Sequence, residues 1–348
     1  MSKENKIYYI ENLRVLACFL VILCHVASMN WYGYIDTNRW VVFTIYTALS
    51  KCCVPIFVMI SGALFLRKDK ELDIKRLYQH NIFKLIIFLL FWTICYQIYH
   101  LVNREGMHAS IFGKAVMNVL KGQTQVHFWY IFMIIGLYMI APVLKQWIKY
   151  ASKKQIEYFL VLFLLFQCVY TTITNVNIEI FQVISDYSRR LSVNMVSGYV
   201  GYFVLGYYLN EYELTEKKRK ICYGIGIVGI ICCILLTVIM SRRMNQPTEI
   251  FWNYCTVFMA FWSMAVFVFF KNHLSHYKNK FVSEVSKCCL GIYGFHMFVI
   301  LELWKHELTT FSFCAVVSVP VITIVTFAVS FIVVKLLSYI PFGNKWIL

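Results

Sequence analysis

Charged residues are scarce in this chain: they make up 14% of its 348 residues, against roughly a quarter in a typical soluble domain. No polar stretch is long enough to form a separate soluble domain. Hydrophobic residues reach 60% and the mean hydropathy is +0.65. This composition excludes a soluble globular protein and predicts an all-α, polytopic integral membrane protein. We expect one membrane domain that extends over residues 1–348.

Several sequence signals are also missing. The thirteen cysteines lie mostly in apolar runs, and none has the spacing of a CxxC pair or of a Cys/His zinc site. We therefore expect small buried side chains at these positions, and no bound metal. No small-residue cleavage site follows the first apolar run, so this run is expected to remain as a helix instead of acting as a signal peptide.

Ten apolar segments are long enough, or nearly so, to span a bilayer, and the sixth and ninth are short. They are residues 8–29, 40–66, 82–102, 127–145, 156–174, 195–210, 220–240, 249–271, 288–304 and 313–338. Most of the 33 lysine and arginine residues fall in loops on one side of these spans. Basic loops are cytoplasmic in membrane proteins, so both termini are predicted to be cytoplasmic. The net charge of +16 then reflects topology, and we expect no nucleic-acid partner.

Two of the predicted outer loops, 103–126 and 175–194, are long enough to do more than connect helices. The first contains a weakly amphipathic stretch from Ala109 to Leu120, and the second carries Asp186 among other charged residues. Each loop is predicted to be an interfacial helix, a lid or an ordinary solvated connection.

The first predicted helix carries three ionisable side chains, Glu11, Arg14 and His25. Ionisable groups are costly in hydrocarbon, so they indicate a functional site. Glu11 and Arg14 are three residues apart and can pair on one helical face. Arg14 and His25 are separated by about three helical turns, or roughly 16 Å, and share one stripe of the helix. The simpler alternative is that Arg14 extends to the headgroups and His25 is a packing residue.

Other polar or aromatic residues of the predicted helices fall at two main depths. Those at the cytoplasmic side, near Arg14, are Ser61, Gly62 and Lys84; those at the outer side, near His25, are His127, Trp129, Tyr130 and Glu302. Tyr293 and His296 fall near the middle, and Lys51 is too deep for a lysine that reaches the headgroups. Helix packing by Gly62 and an aromatic belt at Trp129 and Tyr130 are the alternative interpretations. A guanidinium suits phosphate recognition and a histidine suits proton transfer, so this arrangement favours a protein that uses a cytoplasmic substrate across the membrane.

Four motifs of the chain resemble those of the membrane acyltransferase-3 family, the multi-pass bacterial enzymes that O-acylate surface polysaccharides. They are the Arg14 to His25 spacing in ENLRVLACFLVILCH, VPIFVMISGALFL at 54–66, HFWYIFMIIGLYMIAPVL at 127–144 and LGIYGFH at 290–296. Their order along the ten predicted spans makes the resemblance fairly specific, and it extends over essentially the whole chain.

The resemblance implies a bacterial plasma-membrane enzyme that transfers an acyl group, by expectation acetyl, from cytoplasmic acyl-CoA to a hydroxyl of an envelope glycan. No cofactor is expected besides the acyl-CoA donor, and the oligomeric state is left open. Arg14 and His25 are implied to be essential, and Glu11, where the family usually has aspartate, is expected to belong to the catalytic group with them. Residues expected to bind the substrates are Ser61, Gly62, Lys51, His127, Trp129, Tyr130, Tyr293, His296 and Glu302. Alternatives of other classes are a transporter or flippase for a polysaccharide or lipid-linked sugar, and an inactive sensor domain.

Overall fold

The computed structural model describes residues 8–33, 35–174, 198–341 and 343, and all regular secondary structure in these ranges is helical. The main helices are α1 (Tyr8–Ser28), α2 (Asn38–Ser50), α3 (Cys53–Phe65), α4 (Phe83–Glu105), α5 (Ile111–Leu120), α6 (Trp129–Tyr150), α7 (Lys153–Phe163), α8 (Val200–Glu211), α9 (Glu216–Met244), α10 (Val257–His273), α11 (Lys280–Lys305) and α12 (Ala315–Leu337). Short helical pieces are Ile74–Arg76, Leu77–Ile82, Val126–Phe128, Leu164–Val169, Tyr170–Thr174 and Ile250–Trp252. The all-α prediction is confirmed.

Eight helical segments in the described part of the chain are long and apolar enough to cross a membrane. They are Tyr8–Ser28, Asn38–Phe65, Ile74–Glu105, Val126–Tyr150, Lys153–Thr174, Glu216–Met244, Lys280–Lys305 and Ala315–Leu337. The protein is therefore a multi-pass membrane protein. The other two predicted spans correspond to α8 and α10, of 12 and 17 residues, so the number ten stays a prediction. The prediction that the ninth helix is short was wrong. Helix α11 begins before Cys288, includes the polar residues there and is 26 residues long.

Contacts between helix ends define the two ends of the bundle. At one end of the bundle, where α1 begins, the Tyr9 hydroxyl donates to the Asn210 side chain at the end of α8. At the opposite end, Asn30 donates to the Thr310 hydroxyl at 2.7 Å. We name these the near end and the far end. The near end is the side predicted to be cytoplasmic, and that orientation remains a prediction.

The second predicted span is interrupted between α2 and α3. The Lys51 amide closes α2 by donating to the Thr47 carbonyl at 3.0 Å, and α3 begins two residues later. Pro55 lies in the first turn of α3, where a missing N–H removes no helical hydrogen bond. The interruption of this span therefore lies at Lys51 and Cys52, and not at Pro55.

Helices α3 and α8 cross at very short distance. A Cβ atom added to Gly62 would lie 1.7 Å from the Phe203 carbonyl oxygen, and one added to Gly206 would lie 2.0 Å from the Met59 carbonyl oxygen. Backbones approach this closely only where side chains are absent. Gly62 thus packs against α8, as the alternative interpretation of this residue expected.

The first long outer loop contains a helix, α5, which buries Ile111 and Ala115 and exposes Phe112 and Leu120. It is an amphipathic helix, as the stretch from Ala109 to Leu120 predicted, while its position at the membrane interface stays a prediction. The second loop, 175–194, lies outside the described residues, and so do all of its charged residues, including Asp186.

Candidate active site

A cavity of about 350 Å³ lies among α1, α3, α6 and α11, with contributions from the start of α4. Its size is within the range of about 300–1,000 Å³ that is typical of ligand sites. Arg14 and His25 of α1 both line it, as the shared helical stripe predicted. One internal space therefore joins the two depths at which the sequence placed polar residues.

The near end of the cavity is cationic. The Arg14 guanidinium donates to the Ser286 hydroxyl of α11 at 3.2 Å, and Lys84 and Lys287 line the same region. Lys287 also forms an ion pair of 2.5 Å with Glu284. Three cations around one opening suit a ligand with phosphate groups, because a guanidinium offers planar paired donors and an ammonium offers a point charge.

Hydroxyl groups and aromatic rings line the middle of the cavity. Ser61 donates to the Phe57 carbonyl at 3.0 Å, and its oxygen lies 3.4 Å from the Tyr138 hydroxyl. The rings of Tyr130 and Tyr293 meet edge to face, with their centres 5.8 Å apart. This part of the lining carries few charges, and it is suited to an uncharged chain or acyl group.

Three histidines meet toward the far end. The ring centres lie 5.3 Å apart for His25 and His296, 5.4 Å for His127 and His296, and 6.0 Å for His25 and His127. His25 and His127 line the cavity, whereas His296 is fully buried. The Tyr293 hydroxyl donates to the His127 carbonyl and so holds the turn before α6 against α11. Within the described ranges, no group of three or more His, Cys, Asp or Glu residues is arranged to hold a metal ion.

Aromatic and charged side chains surround the far mouth. The Trp129 ring, 37% exposed, lies 5.4 Å from that of Tyr254, and both residues line the cavity. The Lys51 ammonium lies 5.0 Å from the Tyr254 ring centre and 3.9 Å from the Glu249 carboxylate. Tyr32 donates to the same carboxylate at 2.5 Å, and this hydrogen bond raises the pKa of Tyr32 to about 12. Lys51 thus lies beside the mouth as part of a polar cluster.

Five predicted site residues are not part of the cavity lining: Lys51 lies beside the mouth, His296 is buried against His25, and Glu11, Gly62 and Glu302 lie away from the cavity. Glu11 accepts a hydrogen bond of 2.5 Å from Ser283 of α11, one helical turn before Ser286. Gly62 faces α8, as described above. Glu302 accepts a hydrogen bond from Tyr99 at 2.7 Å and lies 3.9 Å from the exposed His306, so its described partners are outside the histidine cluster.

The sequence interpretation missed several lining residues: Tyr138, Tyr254, Ser286 and Lys287, together with Glu249 beside the mouth. Helical spacing offered a signal for two of them. Ser286 is seven residues before Tyr293, and Tyr138 is eight after Tyr130, so each pair lies close to one helical stripe. Glu249 and Tyr254 come from the irregular connection between α9 and α10, where no periodic pattern applies.

The fold and site define a polytopic helical membrane protein with an internal cavity that has a cationic end and an imidazole end. Residues 7–335 match the acyltransferase-3 family, described as an acyltransferase domain, and the chain belongs to this family. The family resemblance inferred from the sequence is therefore confirmed. The class of the protein is that of the membrane acyltransferases. Searches of curated proteins and of solved structures found no match.

Proposed function

We propose that this protein is an O-acyltransferase of the bacterial plasma membrane that moves an acyl group, by preference acetyl, from acyl-CoA to a hydroxyl of an envelope glycan. The observation that carries the proposal is the single cavity lined by Arg14 at one end and His25 at the other. Arg14, Lys84 and Lys287 would hold donor phosphates at the near end. The uncharged middle then takes the pantetheine arm and the thioester.

The chemistry proposed for His25 is general-base catalysis. Its ring takes the proton of the acceptor hydroxyl as the oxygen attacks the thioester carbonyl. The C–S bond then breaks, the acyl group remains on the acceptor oxygen as an ester, and the thiolate takes up a proton to leave as CoA. A second version makes His25 a transient acyl carrier, so that only the acyl group passes along the cavity. In that version, labelled enzyme accumulates without acceptor and loses its label to hydroxylamine.

The far mouth supports a sugar acceptor. Sugars present apolar faces that stack on aromatic rings and hydroxyls that hydrogen-bond to carboxylates. The exposed ring of Trp129 and the half-exposed carboxylate of Glu249 offer both kinds of contact beside the cavity. The transporter alternative would use the same mouth but predicts no thioester chemistry.

The test uses purified protein in nanodiscs with radiolabelled acetyl-CoA and a panel of envelope glycans. We expect thiol release and ester formation by the wild type, and a loss of at least about 100-fold in Arg14→Ala and His25→Ala. Arg104→Ala and His306→Ala remove residues of the same types whose side chains are 79% and 73% exposed, and both should retain wild-type rates. Full transfer by His25→Ala contradicts both versions of its role. Absence of CoA binding and turnover with every glycan would favour the transporter, to be tested next by flux.

A further inference from the structure

The proton on His296 can be assigned from its hydrogen bond. Its Nδ1 lies 2.8 Å from the Tyr293 carbonyl oxygen. A carbonyl only accepts hydrogen bonds, so Nδ1 carries the proton. In the neutral ring the lone pair is then on Nε2, and this atom is buried with no hydrogen-bond partner among the described residues. A buried acceptor without a donor is costly, which indicates that a donor approaches it in the working protein.

The His25 ring is placed to supply that donor. Its centre lies 5.3 Å from that of His296, with the ring planes inclined by 37°. This separation is about what an N–H···N hydrogen bond of about 3 Å between two aligned imidazoles requires. His25 lines the cavity, whereas His296 is fully buried. A small rotation of the His25 ring therefore brings one of its nitrogens to His296 while the other faces the cavity.

We propose that His296 is a positioning residue for His25: its Nε2 accepts the ring N–H of His25 and so directs the lone pair of the other His25 nitrogen toward the acceptor hydroxyl. This inference rests on the proposed acyl transfer. Orientation of a catalytic histidine by a buried acceptor is the role of the carboxylate in hydrolase triads. A neutral imidazole performs it here without placing a carboxylate in the membrane interior, where a buried charge is expensive.

The tyrosines of the cluster keep His296 in place. The Tyr96 hydroxyl donates to the Gly294 carbonyl at 2.9 Å, and Tyr293 is fixed by its bond to the His127 carbonyl. These contacts hold the segment of α11 that precedes His296 by two or three residues. His127 lies 5.4 Å from His296 across the same cluster. Because His127 lines the cavity, it remains available to the substrate while His296 serves His25.

Two substitutions separate the functions of the two His296 nitrogens. His296→Asn retains a donor near the Nδ1 position but cannot reach the Nε2 position, whereas the amide of His296→Gln can. We expect acyl transfer to fall about 10- to 100-fold in the Asn variant through kcat, with the KM for acyl-CoA unchanged, and to recover to within about threefold of wild type in the Gln variant. Equal losses in both variants, or no loss in the Asn variant, overturn the inference.

A measurement without substrate tests the same point. Nitrogen NMR of ¹⁵N-histidine-labelled protein in nanodiscs reports which ring nitrogen carries the proton, and the His25 signal is the one lost in His25→Gln. We expect a single tautomer in wild type and His296→Gln, and a mixture in His296→Asn. An unchanged His25 signal in His296→Asn overturns the positioning role. If wild type shows no acyl transfer at all, the proposed function fails instead, and the two failures are thus distinguished.

Discussion

At the scale of single residues, the far mouth differs from the near end in its chemistry. The near end presents cations, while the mouth combines aromatic rings with one acid, Glu249, beside Lys51. The hydrogen bond from Tyr32 raises the pKa of that tyrosine, so its hydroxyl remains a donor throughout the physiological range and keeps one oxygen of Glu249 engaged. The other oxygen faces Lys51 at 3.9 Å. This division suits two substrates of different charge that enter from opposite ends.

Trp129 is the residue that tests acceptor binding alone. We expect Trp129→Ala to raise the KM for the glycan by about 2- to 12-fold, since stacking on an aromatic ring contributes about 0.5–1.5 kcal/mol. The KM for acyl-CoA should stay unchanged. The control is Trp304→Ala, a tryptophan of similar exposure, 39%, that is not part of the cavity lining in the described chain. A change in donor KM in the Trp129 variant, measured with saturating glycan, would contradict this assignment.

At the scale of helices, the crossing of α3 and α8 sets the position of one cavity wall. Gly62 and Gly206 let the two backbones touch, while Ser61, the neighbour of Gly62, faces the cavity. The orientation of α3 therefore depends on a contact outside the site. The break at Lys51 and Cys52 separates α3 from α2, so the direction of α3 can be set by its contact with α8.

We expect Gly62→Ala to destabilise the fold, because its Cβ would meet the Phe203 carbonyl oxygen and the helices must move apart. Overpacking of this kind costs about 1–3 kcal/mol. Gly136→Ala is the matched control: it replaces a glycine inside α6 that has no neighbour within 4 Å of the added atom, so it should be neutral or slightly stabilising. Thermal unfolding in detergent compares them, and equal midpoints for the two variants would show that the crossing tolerates a methyl group.

At the scale of the whole molecule, the orientation in the membrane decides which end of the cavity faces the cytoplasm. Of the thirteen cysteines, Cys314 is the exposed one, and it precedes α12 at the far end. The others are buried or partly buried. Labelling of the Cys314 thiol therefore reports on which side of the membrane the far end lies, and the sequence predicts the extracytoplasmic side.

A membrane-impermeant maleimide should therefore label the protein in intact cells, and Cys314→Ser should abolish the signal. In the Cys314→Ser background, His276→Cys introduces an exposed thiol in the loop between α10 and α11 at the near end. It should react only after the cells are permeabilised. The opposite pattern would reverse the orientation, and with it the side from which the donor enters.

Much of the architecture could be predicted from composition and periodicity, because helices in lipid must satisfy their own hydrogen bonds and show long apolar runs. The stripe of Arg14 and His25 followed from helical geometry within one element. The meeting of His25, His127 and His296 could not be derived in this way, since it depends on how three distant segments pack. The position of Gly62 could not be derived either. Its neighbour Ser61 faces the cavity, whereas Gly62 lies on another side of the same helix and packs against α8.

The cation cluster at the near end has an electrical consequence. If α1 begins in the cytoplasm, as the basic loops predict, an inside-negative membrane potential drives anions outward by about 2.3 kcal/mol per elementary charge for each 100 mV. In the proposed function, Arg14, Lys84 and Lys287 would hold the donor phosphates against this voltage. In the acyl-carrier version, an uncharged acyl group would pass through the uncharged middle at no electrical cost. The membrane potential would then hold back the charged part of the donor and leave the transfer of the acyl group unaffected.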